Sequence, residues 1–144
     1  MKAYLTRRYL FSASHRLHSD AMSTQENQAV YGKCNNPHGH GHNYSLEVTV
    51  AGQVDPPTGM VCNVVDLDNF VNEKILERFD HQNLNTLDEF HETVPTTENL
   101  CMEIYAVLER EFHHAQVDKV RVEETMLNSF EYAGGREYAT RRDL

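Results

Sequence analysis

Apolar positions recur with two different periods along this chain, and the change from one to the other marks its elements. From residue 3 to 13, "AYLTRRYLFSA", aromatic, branched and charged residues partly alternate, which predicts a half-buried strand with His15 at its end. Residues 18–36 are polar and without period, which predicts a long connecting excursion of the kind that often carries function. "HNYSLEVTVAG" then alternates cleanly, with Tyr44, Leu46, Val48 and Val50 on one side of a strand. Pro and Gly in "DPPTG" predict a tight connection, after which "MVCNVV" is expected to return as an antiparallel partner.

The period then lengthens. Leu67, Phe70, Val71, Ile75 and Phe79 recur at helical spacing, with Asp66 as the expected N-cap and an end near Asp80. Pro95 blocks earlier helix, and Thr96 or Thr97 caps a second one that runs through Leu100, Ile104, Val107 and Leu108 to about His113. "DKVRVEETML" and "SFEYAG" predict two closing strands around a turn at Asn128–Ser129. Two hairpins around two helices make an α+β domain, a four-stranded antiparallel sheet covered by both helices on one face. Its open edges favour assembly through the sheet. Residues 1–135 read as one domain, and 136–144 as a frayed tail without pattern.

Composition adds constraints rather than a new picture. A chain of 144 residues with 40% hydrophobic positions can bury one real core. A net charge of -9 excludes general affinity for nucleic acid or an anionic membrane. Three scattered cysteines do not suggest a disulfide framework, and no apolar leader precedes the first strand, so the expected location is cytoplasmic.

Chemistry concentrates in "GKCNNPHGHGHNY". His38, His40 and His42 alternate, so any neighbouring two can share one ion, and zinc suits neutral imidazoles. His15, at the end of an adjacent strand, is the best third ligand. Cys34 lies in a Gly/Asn/Pro-rich loop beside Lys33, where positive charge would lower the thiol pKa. Asp80 and His81 close the first helix, either as a dipole-stabilised histidine or as an oriented acid/base pair. Glu123 and Glu124 point to opposite faces of a strand, and the inward one needs a partner, for which a heterocycle with adjacent N–H and amino donors is apt. Glu98, in a first helical turn, is explained by the helix dipole alone.

Taken together, "FSASHRLHS", "VYGKCNNPHGHGHNY", "VDPPTGMVCNVVDL", "DHQNLN", "PTTEN" and "VRVEET" resemble, in order and across Tyr9 to Tyr132, the 6-pyruvoyltetrahydropterin synthase family, which includes the 6-carboxytetrahydropterin synthases of queuosine biosynthesis. The resemblance implies a tunnelling fold, ββααββ, whose sheets join into a barrel, usually as a homohexamer of two trimers with active sites between subunits. It implies zinc on His15, His40 and His42, Cys34 as general base, Asp80 and His81 as the proton-transfer pair, Glu124 as the pterin anchor, and Thr96, Thr97 and Glu98 along the pocket. In that family H-G-H leads directly into an aromatic and the alternating strand, which here selects His40 and His42 and leaves His38 as a bystander.

The implied reaction is the conversion of 7,8-dihydroneopterin triphosphate to 6-pyruvoyltetrahydropterin, a step of tetrahydrobiopterin biosynthesis, with loss of triphosphate. The carboxy branch instead yields 6-carboxytetrahydropterin and acetaldehyde. Six positions from Cys34 to His40 match the pyruvoyl spacing. A more distant alternative is a catalytically silent tunnelling-fold protein that binds pterin or purine through Glu124. Arg7, Arg8, Arg16 and Lys33 are the candidates for a basic lining around the triphosphate.

Overall fold

The computed structural model describes residues 2–134, and the C-terminal segment read as frayed lies outside the described residues. Five strands form one sheet in the order β3-β1-β2-β4-β5. The long strands β1 (Ala3–His15) and β2 (His40–Gly52) are antiparallel from Ala3↔Gly52 to His15↔His40. β4 (Gln116–Thr125) takes the other edge of β2, and β5 (Asn128–Tyr132) closes the order. The fifth strand, β3 (Gln82–Asn83), is a two-residue parallel addition beside Ala13 and Ser14. It was not expected from the sequence, because two polar residues carry no period.

Four other expectations are corrected. "MVCNVV" forms no strand: both edges of β2 are already occupied by β1 and β4, and only a single bridge, Asp55 to Met60, marks the expected return. Asn63 rather than Asp66 caps the following helix, its side chain accepting from Val65 N–H at 2.9 Å. Within the polar excursion stands a helix, α1 (Thr24–Tyr31), started by a reciprocal Ser23–Glu26 capping box. Its tether is Asn27, fully buried, which bonds to Ser19, Met22 and Ser23. The last hairpin turns at Met126–Leu127, two residues earlier than expected, because the Thr125 hydroxyl donates to Asn128 and accepts from Leu127 N–H.

The helix α2 (Val64–Val71) continues through a π-helical turn, Asn72–Leu76, into a last α-helical turn, Glu77–Phe79. Its apolar spacing explains that turn. Leu67, Val71, Ile75 and Phe79 are four apart and all fully buried. On a regular α-helix each such step drifts by about 40°, about 120° over three, and the wider turn takes back about one residue, or about 100°. All four side chains therefore stay under the sheet. The helix α3 (Thr97–Glu111) adds Leu100, Ile104 and Leu108 to the same core, against Tyr44, Leu46, Val48, Val50, Val120 and Val122. Each fully buried Leu or Ile there contributes about 1.5–3 kcal/mol.

The helices cover one sheet face, as alternation along β2 predicts. The opposite face is polar, with Arg8 and Arg121 both paired to Glu47 at 2.7 and 3.1 Å. Among the described residues no helix is long and apolar enough to cross a membrane.

Candidate metal centre and active site

The register of β1 on β2 builds the centre. His15, last in β1, stands opposite His40, first in β2, while His42 is opposite Ala13 and one pleat further along the same face. Their rings meet edge to face with centroids 4.7–5.0 Å apart, and the Nε2 atoms of His15 and His40 are 3.2 Å apart. The carbonyl of Pro95, just before α3, accepts from His15 Nδ1–H at 2.9 Å. That bond fixes the tautomer and turns the Nε2 lone pair of His15 toward the other two rings.

Glu124 completes the group. The β4–β5 register shifts between Glu123 and Thr125, so Glu124 occupies a bulge that aims its side chain at the histidines. Its Oε1 lies 2.9 Å from His42 Nε2 and 4.0 Å from His15 Nε2, and its Oε2 accepts a short hydrogen bond from the Thr97 hydroxyl. One donor atom from each of His15, His40, His42 and Glu124 falls within 4.8 Å of the others.

This set fits a divalent cation. Burial lowers the pKa of His15 and of His42, against the opposing Pro95 bond at His15 and the Glu124 charge at both, so neutral rings with free lone pairs are favoured. His42 Nε2, though close to Glu124, is a buried nitrogen without an aligned hydrogen bond. A cation would satisfy it.

The other sequence candidates separate into those beside the centre and those away from it. Cys34 sits in a 3-10 turn, Gly32–Asn35, and is partly buried. Burial, and then the Glu124 charge, raise its thiol above the ordinary value. Lys33, whose side chain is exposed, is not among the groups that set it. Thr97 is buried against Glu124, whereas Thr96 is the N-cap of α3 and Glu98 is exposed in its first turn. His38 is exposed and outside the cluster. Of the basic candidates, Arg7 is bound in a fork by Asp68 and Arg8 by Glu47, while Arg16 donates to the Asn35 carbonyl.

Asp80 and His81 form a pair, but at the outer edge of β1. Asp80 Oδ1 accepts from Ser12 N–H at 2.9 Å and lies 3.0 Å from His81 Nδ1. The Ser12 bond first, and His81 second, hold the Asp80 carboxyl below its ordinary value. His81 has φ of 60°, and its side chain is 83% exposed. An open groove of about 320 Å³ is lined by both His81 and the His42 segment, but among the described residues no hydrogen bond or ring contact joins His81 to Cys34 or the histidines.

Sequence reasoning missed Pro95 as the carbonyl that orients His15, and Tyr44, whose hydroxyl lies 3.4 Å from the same nitrogen. Both contacts arise from packing between distant segments.

The family model described as 6-pyruvoyl tetrahydropterin synthase matches residues 4–135. The 6-pyruvoyl tetrahydrobiopterin synthase of Homo sapiens is 46% identical over 134 residues, 92% of each chain, and that of Poecilia reticulata 47% over 132 residues, 91% of this chain and 90% of its relative. The solved 6-pyruvoyl tetrahydropterin synthase of Caenorhabditis elegans superposes with a TM-score of 0.89 at 39% identity, covering 94% of this chain and 97% of that one. With the fold matched end to end and the family model spanning nearly all the described residues, this chain belongs to the 6-pyruvoyl tetrahydropterin synthase family.

Proposed function

We propose that this chain is a zinc-dependent lyase that converts 7,8-dihydroneopterin triphosphate to 6-pyruvoyltetrahydropterin and releases triphosphate. The observation that carries this reading is the convergence of His15, His40 and His42 at one end of the sheet, with Cys34 six residues before His40. Zinc on the three imidazoles supplies Lewis acidity toward the substrate's side-chain hydroxyls and positive charge that favours the Cys34 thiolate.

Cys34 takes the carbon-bound proton beside the reacting hydroxyl. Thr97 holds one oxygen of Glu124, and the other accepts from the adjacent N–H and amino donors of the pterin. Asp80 holds Nδ1 of His81, which leaves Nε2 as the atom that gives and takes protons during tautomerisation. Because that pair stands apart from Cys34 within one chain, it serves the site of a neighbouring copy, in a homohexamer built as two trimers through the sheet edges. The enzyme works in the cytoplasm.

Incubation of the zinc-loaded protein with dihydroneopterin triphosphate, followed by mass analysis, tests the reading. A pyruvoyl product with free triphosphate is expected; 6-carboxytetrahydropterin with acetaldehyde, or intact substrate, would overturn it.

A further inference from the structure

Cys34 is not in a strand, yet a general base must be held to within a fraction of an ångström of its target. What holds it is Asn35. This residue is 6% exposed, buried where an unpaired amide would be costly. Its Nδ2 donates to the Leu17 carbonyl at 2.7 Å and to His18 Nδ1 at 3.1 Å. Leu17 N–H in turn donates to the Cys34 carbonyl at 2.7 Å, and Arg16 Nε to the Asn35 carbonyl at 3.3 Å.

Cys34 and Asn35 are thus laced to the three residues that continue β1 beyond the metal-ligating His15. That continuation is itself fixed, because the Asn85 side chain bonds Arg16 on both sides, accepting from its N–H at 2.7 Å and donating to its carbonyl at 2.9 Å. At the far end of the loop, Gly39 at φ +72° lies so close that an added Cβ would stand 2.8 Å from the His15 carbonyl. The loop from Cys34 to His40 is therefore closed on β1 at both ends, Gly39 on the His15 backbone and Cys34–Asn35 on the three residues after it. Asn35 is the buried polar side chain between them.

We infer that Asn35 is a positioning residue: its amide sets the Cys34 thiol relative to the histidine cluster by tying the loop to the Leu17 carbonyl and the His18 imidazole in the continuation of β1. The inference rests on Cys34 acting as the base. Without the amide, Cys34 keeps one backbone bond, to Leu17 N–H, and the thiol gains freedom while the histidines keep their strand register.

Asn35→Ala and the isosteric Asn35→Asp, which sets a carboxylate against the Leu17 carbonyl, are each expected to lower kcat by about 10- to 100-fold. Zinc content and KM should hold. Alkylation of Cys34 by iodoacetamide, read by mass without substrate, should accelerate; Cys62 and Cys101 are buried and serve as internal references. Wild-type kcat and alkylation rate in both variants, or activity lost only in proportion to zinc, overturns the inference. Should neither variant fold, His18→Ala removes half the clamp from a half-buried position and is expected to cost about 2- to 10-fold in kcat; no change in kcat or alkylation overturns the inference equally. A fully active Cys34→Ala protein would instead remove the base reading itself, and the alkylation rates would still report on the clamp.

Discussion

The candidate metal centre and the groups proposed for proton transfer are built by different means. Two of the three histidines face each other across β1 and β2, the third is one pleat away, and His15 is 1% exposed with its tautomer fixed by Pro95. Strand register alone brings them together. Cys34 lies in a 3-10 turn, and His81 is exposed on the sheet's outer edge. One chain can therefore complete a cation site while its acid/base groups depend on loop contacts and, in the proposed assembly, on a second copy. In the proposed reading, metal binding and turnover are therefore separable.

The largest expected effect breaks the first half of that contrast. His15→Ala or His40→Ala should lose zinc and at least about 10³-fold in turnover, since a Lewis acid supplies several kcal/mol of charge stabilisation. His38→Ala, measured by the same metal analysis, should keep its zinc. Next, Cys34→Ala should keep zinc and fold while losing about 10²–10⁴-fold in kcat, the range of a positioned general base; equal zinc loss would erase the distinction between the two regions. Co-expression sharpens it further. Cys34→Ala and His81→Ala subunits, each inactive alone, should regain activity when mixed, and no recovery would place the pair and the thiol in one chain.

The smallest effect concerns acid stability. The folded Asp80 carboxyl lies below its ordinary value of 3.8, so its bonds to Ser12 and His81 stabilise the fold above that value and are lost as the pH falls through the lower folded one. The Tm gap between wild type and Asp80→Asn should therefore narrow over that acid window; a constant gap would assign the effect to lost packing instead.

Legibility followed period and local chemistry. β2, α2, α3 and β4 were readable because their burial alternates or recurs at helical spacing, and the same alternation that buries Tyr44 and Leu46 puts His40 and His42 on one face. α1 was missed because "TQENQAVY" has little apolar pattern, leaving only the Ser23–Glu26 capping box as a signal. "MVCNVV" was over-read because strand propensity is local while vacancy at a sheet edge is not. Asn35, Asn85 and Pro95 were illegible as site-builders for a related reason: each acts on residues at least 17 positions away, and only topology makes them neighbours.

The π turn in α2 links helix phase to chemistry. Asp80 and His81 follow directly from the helix that contains it, so their orientation depends on one extra residue among Asn72–Leu76. A chain shortened there by one residue could regain a regular helix, but Asp80 would be drawn back about 1.5 Å and turned about 100°. Such a lesion should leave the metal assay unchanged while lowering turnover, and it should also lower Tm because Phe79 turns out of the core; a deletion variant with normal kcat would show that the edge pair tolerates being out of phase. Length in this segment, more than the identity of its solvent-facing residues, sets the phase of Phe79, Asp80 and His81.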